Sequence, residues 1–408
     1  MSSAPRPRMP VTALLGANMF FSGVTFASTA PYASIVGVET LGLSTAAFAT
    51  LLSVSSIVGA FLSLGLGYLS DRLPDRRILV LAAALAGMIG HGLIYLFPSQ
   101  SVFLLAMGVV MPLGLSMFSQ SFAYTRVFYN RHNPARADFM VSALRTVFTV
   151  AWTVVPPLAG YVAARYSVFN VYLISALSYG LCGTIFIVMM TDRATLVPNA
   201  PPASVAPAPS GAAVRRRLPF PILSGVVGLT VIATAMRLAG VGMPLLIVTD
   251  LGGSLTDVGL YAGIAAGLEL PFMLGWGYLL ARLSKESILI FNGLLFALYL
   301  LLATGVRSVG DILWLQGING IATAALMSVN ISYLQDAIKG RVGLSTSLMD
   351  VVSISATLLG AAAFGLLGAG GDYRLVIAGA AAIAGLGALV MLAGNLNRLR
   401  GPRPSRPA

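Results

Sequence analysis

Polar residues are sparse along this chain, and the stretches between them are long. A moving window finds twelve apolar runs of roughly 20 residues or more, each able to cross the ~30 Å hydrocarbon core of a bilayer as a helix. They are predicted at 11–36, 44–69, 78–97, 102–127, 137–164, 168–190, 221–249, 256–281, 286–305, 309–335, 343–368 and 373–395. Backbone groups in lipid must bond within their own segment, and barrel strands would be about ten residues long and alternate in polarity. The expected fold class is therefore an all-α membrane protein with twelve transmembrane helices.

Composition agrees with this pattern. With 57% hydrophobic and 9% charged residues, the 408-residue chain lacks the polar surface that a water-soluble molecule of its size needs. A net charge of +12 would suit nucleic acid, but its placement speaks for topology instead. Of the 25 Lys and Arg, 20 fall in the termini and in the loops on their side, Arg165, Arg307 and Arg374 lie in opposite loops, and Arg145 and Arg237 lie within spans. Positive charge collects on the cytoplasmic side, so both termini are expected inside a bacterial inner membrane, with lipid rather than nucleic acid as surroundings. The first apolar run is too long for a signal-peptide core and reads as the first helix. The single cysteine, Cys182, cannot form an intrachain disulfide. No cofactor or metal is expected, and the chain is expected to act as a monomer.

A stretch rich in Pro, Ala and Ser, ending in Arg215, Arg216 and Arg217, cannot build a core and divides the spans into two sets of six. The expected domains are an N-terminal bundle at 1–192, a cytoplasmic linker at 193–219, a C-terminal bundle at 220–397 and a basic tail at 398–408. The halves echo each other. Gly67, Leu69, Asp71 and Arg72 precede Arg76 and Arg77 after span two, and Gly277, Leu279, Ala281 and Arg282 precede Lys285 after span eight.

Twelve helices, a central linker and this repeated loop resemble the major facilitator superfamily, whose signature between helices two and three is G-x-L-x-D-R-x-G-R-R. Here Pro74 and Asp75 replace its glycine with one extra residue. The resemblance implies two pseudo-symmetric six-helix bundles rocking about a central cavity. An acidic residue adds nothing to topology, so Asp71 with Arg72 is expected to hold and release helix ends, in a gating loop of Gly67, Asp71, Arg72, Arg76 and Arg77.

Polar residues spaced three, four or seven apart share one helix face, and in an apolar helix that face turns away from lipid. Span one carries Asn18, Ser22, Thr25 and Thr29; span four carries Ser116, Gln120 and Tyr124; span five carries Ser142, Arg145, Thr149 and Trp152. Span seven answers with Thr230, Thr234 and Arg237, span ten with Gln316, Asn319, Thr323 and Asn330, and span eleven with Asp350, Ser353 and Thr357. The expected substrate-binding set is Asn18, Ser22, Thr25, Gln120, Tyr124, Arg145, Trp152, Gln316, Asn319 and Asn330. Amides and flat aromatic faces suit an uncharged, hydroxyl-rich ligand.

Four ionisable side chains lie within spans: Arg145, Arg237, Glu269 and Asp350. Each costs about 3 kcal/mol or more if it faces lipid alone, so partners or water are expected. Arg237 and Glu269 sit at similar depth on consecutive antiparallel spans, which predicts an ion pair between them. Arg145 and Asp350 occupy matching positions in spans five and eleven and are expected to face each other. A carboxylate there can take a proton when its arginine leaves, so Glu269, Asp350 and Arg237 are the expected proton-coupling residues. His91 in span three reads as a packing residue.

Local runs are similar to the sugar efflux transporter branch of the superfamily: Gly267 to Pro271 with Gly277, Tyr278 and Arg282; Tyr333, Gln335 and Asp336; and Arg145, Ala151, Trp152, Pro156 and Pro157. That branch implies proton-linked export of small sugars, with a sugar and protons as partners. Val155 to Gly160 is a degenerate form of the G-P-x-x-G-G motif of drug exporters, which makes a multidrug/proton antiporter the alternative. No HExxH, GxSxG, Cys and His pairing or Walker loop is present, so an enzyme is not expected.

Overall fold

The computed structural model describes residues 9–197, 220–337 and 342–400. Among them every element is helical and twelve helices are long and apolar enough to span a bilayer. They are Val11–Tyr32, Thr45–Ser70, Arg77–Leu96, Gln100–His132, Pro134–Arg165, Asn170–Met190, Phe220–Asp250, Leu255–Leu279, Lys285–Thr304, Val309–Asp336, Leu348–Leu367 and Tyr373–Leu396, called here spans one to twelve. The apolar runs thus predict each span. The largest offset is at the end of span four, 127 against His132, while the helix of span eleven begins at Val342 against the expected 343.

The chain divides into two compact units. The first holds spans one to six together with residues 253–263, so it takes the opening turns of span eight; the second holds the remainder of spans seven to twelve. Within the first, span one packs on spans five and six, and span three on spans four and six. Within the second, span seven packs on spans eleven and twelve, and span nine on spans ten and twelve. These are the same pairings shifted by six helices.

The repeat extends to the turns. Span one is followed by a wide π-type turn over Ile35–Thr40, then Gly42 at φ +70°, then Ser44 capping span two; span seven ends in a π-type turn over Leu246–Asp250, then Gly252 at φ +64°, then Ser254 before span eight. A left-handed φ favours glycine, and the serines follow the N-cap rule. Ser44 Oγ accepts from the Ala47 amide at 3.1 Å. Ser254 Oγ accepts from the Asp257 amide at 3.3 Å while Asp257 Oδ2 accepts from the Ser254 amide at 2.7 Å, a reciprocal cap. The shared sequence is Leu-Gly-x-Ser at 41–44 and 251–254.

Span five contains Pro156 and Pro157. Proline has no N–H, so the carbonyls of Trp152 and Thr153 lose their partners four residues on. The opening turns of span eight lie against this region. A Cβ on Gly263 would stand 2.8 Å from the Thr153 oxygen, and one on Gly259 would meet the Pro156 oxygen and stand 2.6 Å from the Tyr32 hydroxyl. Tyr32 itself donates to the Pro156 carbonyl at 2.8 Å. Only glycine lets the two backbones come this close.

Candidate functional site

In the first unit, the polar face of span one turns inward. Asn18, Ser22 and Thr25 are buried, and their neighbours are polar groups of span six. Cys182 Sγ donates to the Asn18 carbonyl at 3.6 Å and lies 3.9 Å from Ser22 Oγ, and Ser175 Oγ donates to the Thr25 carbonyl at 3.0 Å. The side-chain amide of Asn18 has no protein partner at either atom. Gln120 and Trp152 are half-buried, and Arg145 is exposed in mid-span.

Tyr124 has a different task. It is buried, and its hydroxyl donates to the Thr195 carbonyl at 2.7 Å. Thr195 follows span six and is also buried, so span four holds down the segment that leaves the bundle. Arg77 holds it from the other side. Its guanidinium grips Asp75 at 2.7 to 3.0 Å and donates to Thr195 Oγ1 at 2.6 Å, the Met189 carbonyl at 3.0 Å and the Asp192 carbonyl at 3.3 Å. A planar fork with five donors is suited to such convergent acceptors. Arg77 is therefore an internal clamp of the first unit. The start of the expected linker, residues 193–197, is folded onto this bundle; residues 198–219 lie outside the described residues.

Of the other expected gating residues, Gly67 borders open space, Arg72 is exposed with its guanidinium 4.1 Å from the Tyr68 ring centroid, and Arg76 is half-buried. The side chain of Asp71 lies outside the described residues. The second unit repeats the Tyr–Arg pair one turn apart, with Arg282 5.5 Å from the Tyr278 ring. Lys285 then pairs with Asp336 at 2.8 Å. The first of these pairings was legible as G-Y-L repeated in both halves; the clamp was not.

In the second unit, Arg237 is exposed in mid-span and donates to Ser353 Oγ of span eleven at 3.3 Å. The ion pair expected between Arg237 and Glu269 does not form among the described residues. Equal depth on consecutive spans predicted that pair, but span seven packs on spans eleven and twelve. A Cβ on Gly360 would stand 2.9 Å from Arg237 Cβ, which brings span eleven directly under the arginine. Asp350, three residues before Ser353 on the same helix, is exposed.

Glu269 is half-buried, with Thr323 of span ten within hydrogen-bonding reach of its carboxyl. Spans eight and ten meet closely there, because a Cβ on Gly320 would stand 2.7 Å from Leu268 Cβ, and Trp276 Nε1 donates to the Ile321 carbonyl at 3.0 Å. Gln316 is buried and fully engaged: Nε2 donates to Tyr299 Oη at 3.3 Å and to the Ile312 carbonyl at 2.9 Å, and Oε1 accepts from Asn319 Nδ2 at 2.8 Å. Asn319 Oδ1 and Asn330 Oδ1 have no partner in the protein.

The family model of the Major Facilitator Superfamily matches residues 15–304 and again 225–408. The chain belongs to the major facilitator superfamily. Among its relatives, Sugar efflux transporter C of Escherichia coli (strain K12) is 30% identical over 337 residues, covering 81% of this chain and 82% of the relative. Sugar efflux transporter A of Dickeya chrysanthemi is 30% identical over 298 residues, covering 72% of each. The fold is shared with a peptide transporter POT bound to alafosfalin, at a TM-score of 0.78, 14% identity and coverage of 98% and 97%. It is shared also with the nucleoside transporter NupG, at a TM-score of 0.73 and 12% identity, covering 95% of this chain and 99% of that one. The protein is a multi-pass membrane transporter of small molecules, not an enzyme, and its likeness to the sugar efflux branch extends over most of its length.

Proposed function

We propose that this protein exports small sugars or sugar analogues by alternating access, driven by proton entry. The observation that carries the reading is the exposure of Arg145 and Arg237 in the middle of otherwise apolar spans, with Asp350 exposed in the first half of the span eleven helix. Each would cost about 3 kcal/mol or more against lipid, so each faces water and marks an aqueous path. The named activity of the sugar efflux relatives supplies the substrate class.

The ligand-binding groups are then Arg145, Gln120 and Trp152 in the first unit, and Arg237, Asn319 and Asn330 in the second. The oxygens of Asn319 and Asn330 are buried without a partner and would accept from sugar hydroxyls once helix motion opens them to ligand. Tyr124 and Gln316 already spend their polar atoms inside the protein and support the site from behind. Glu269 and Asp350 are the candidate proton carriers. Asp71, Arg72 and Arg76 remain in the gating role. The reading includes a bacterial inner membrane with both termini inside, a monomer, and two six-helix domains joined by the remainder of the expected 193–219 linker beyond residue 197. A multidrug/proton antiporter is the second reading, favoured by the proline and glycine of the Val155 to Gly160 run.

Proteoliposomes with an imposed proton gradient test both. Sugar flux that follows the gradient supports the first reading, flux of lipophilic cations supports the second, and no flux of either refutes both. In the same vesicles, Glu269→Gln is expected to abolish proton-driven export while sparing counterflow exchange. Undiminished driven export by that variant removes Glu269 from coupling.

A further inference from the structure

A groove of about 610 Å³ opens from the first unit between spans three and six. Its rims are the exposed side chains of Leu85 and Met88 on span three and of Leu177, Leu181 and Ile187 on span six. Its floor is made of small residues. A Cβ on Gly183 would stand 3.6 Å from the Ala84 Cβ, and one on Gly92 would meet nothing within 4 Å.

The chemistry of this lining is hydrocarbon. No charged residue takes part in it. Its two hydroxyl-bearing residues are already engaged: Thr184 Oγ1 donates to the Gly180 carbonyl at 2.9 Å, and the Tyr179 hydroxyl is hydrogen-bonded to Thr25. A sugar lying there would give up its hydration for little in return, so the occupant is apolar.

Size and depth narrow the choice. A cavity of about 150 Å³ takes benzene, so a groove four times larger takes on the order of twenty carbon atoms, the size of one acyl chain. On span three the groove runs from Leu81 to Gly92, about 16 Å along the helix. That is about one leaflet of the ~30 Å hydrocarbon core, and it begins one turn beyond Arg77, where span three starts.

At that same end stands Arg193, exposed, on the short turn that follows span six. Its position is fixed from both sides, because Arg77 donates to the Asp192 carbonyl at 3.3 Å and Thr195 is buried under the same guanidinium. The neighbouring carboxylate of Asp192 is turned onto the Ala194 amide at 2.9 Å. A fixed cation at the membrane surface, above an apolar channel one leaflet deep, complements a lipid with an anionic headgroup. A second copy of the chain fits less well, since a two-fold contact sets the same concave patch against itself.

We propose that this groove is a binding site for one anionic phospholipid, with an acyl chain between spans three and six and the headgroup at Arg193. The proposal does not rest on the sugar-export reading, because it uses none of the residues assigned to the ligand or to the proton.

The test is native mass spectrometry of the purified full-length protein, stripped of lipid in detergent and titrated with phosphatidylglycerol or with phosphatidylethanolamine. The first phosphatidylglycerol is expected to bind about fivefold more tightly than phosphatidylethanolamine, the worth of one arginine at the membrane surface, and Arg193→Gln should remove that preference. Gly92→Leu fills the groove from a position with open space around it and is expected to fold. It should weaken the first binding of either lipid about tenfold, the equivalent of two displaced methylenes. Gly183→Leu, which fills the floor from span six, replaces it should Gly92→Leu fail to fold. Equal binding of the two lipids to the parent protein would overturn the proposal. So would affinities unchanged by a folded groove-filling variant, or a preference for phosphatidylglycerol that survives Arg193→Gln. A protein that dimerises as lipid is removed, and that Gly92→Leu keeps monomeric, would also overturn it and assign the groove to a second copy.

Discussion

Replacing Arg77 by Met removes the clamp while keeping most of its apolar stem. The arginine is 5% exposed and its partner Asp75 carries a side chain 16% exposed, so the pair is largely shielded from water. Deleting one member of a buried pair costs about 3–5 kcal/mol, because the other charge is left without compensation. Asp75 retains some hydration at the helix end, which places the expectation near the lower limit, about 3 kcal/mol. The Met189 and Asp192 carbonyls lose charged donors at the same time. Arg77→Met/Asp75→Asn removes both charges and should be less destabilised than the sum of the two single variants by about 1–3 kcal/mol. Equilibrium unfolding in mixed micelles, followed by tryptophan emission and by helicity, gives all four corners of the cycle. An Arg77→Met variant within ~0.5 kcal/mol of the parent, or strict additivity, would refute the clamp.

Two further substitutions separate packing from binding. Gly259→Val places a side chain against the Pro156 carbonyl and the Tyr32 hydroxyl and is expected to lower the unfolding midpoint, at a cost of about 1–3 kcal/mol or more for overpacking. Gly275→Ala in the same helix, where a Cβ meets nothing within 4 Å, is the control and should leave the midpoint unchanged or raise it; equal effects of the two would show that the close approach does not exist. Gln316→Leu takes the acceptor from buried Asn319 Nδ2 and should cost about 1–3 kcal/mol in stability. A variant of unchanged stability with a raised KM for a transported sugar would place Gln316 in direct contact with ligand instead.

The helices were legible because a bilayer imposes a length and an apolarity that few other environments require. The polar stripes were legible as faces but not as destinations. Asn18, Ser22 and Thr25 do share a side of span one, yet that side meets Cys182 and Ser175 of span six, and residue spacing on one helix says nothing about which neighbour it meets. Tyr124 shows the same limit, since its partner at Thr195 lies 71 positions away. Depth predicted Glu269 for Arg237, whereas helix packing delivered Ser353. Arg77 carried a motif-based expectation of gating, and only three-dimensional contacts with the end of span six reveal a clamp. The Leu-Gly-x-Ser turns were readable at 41–44 and 251–254, where a glycine two places before a cap serine signals a left-handed corner.

Cys182 is the chain's single thiol, and it is fully enclosed between spans six and one. Maleimides and spin labels act on thiols they can reach, so the unaltered protein is a silent background for them. A cysteine placed beside Arg145 or Asp350 would become the sole reporter of when that position meets water, without first stripping the sequence of native thiols.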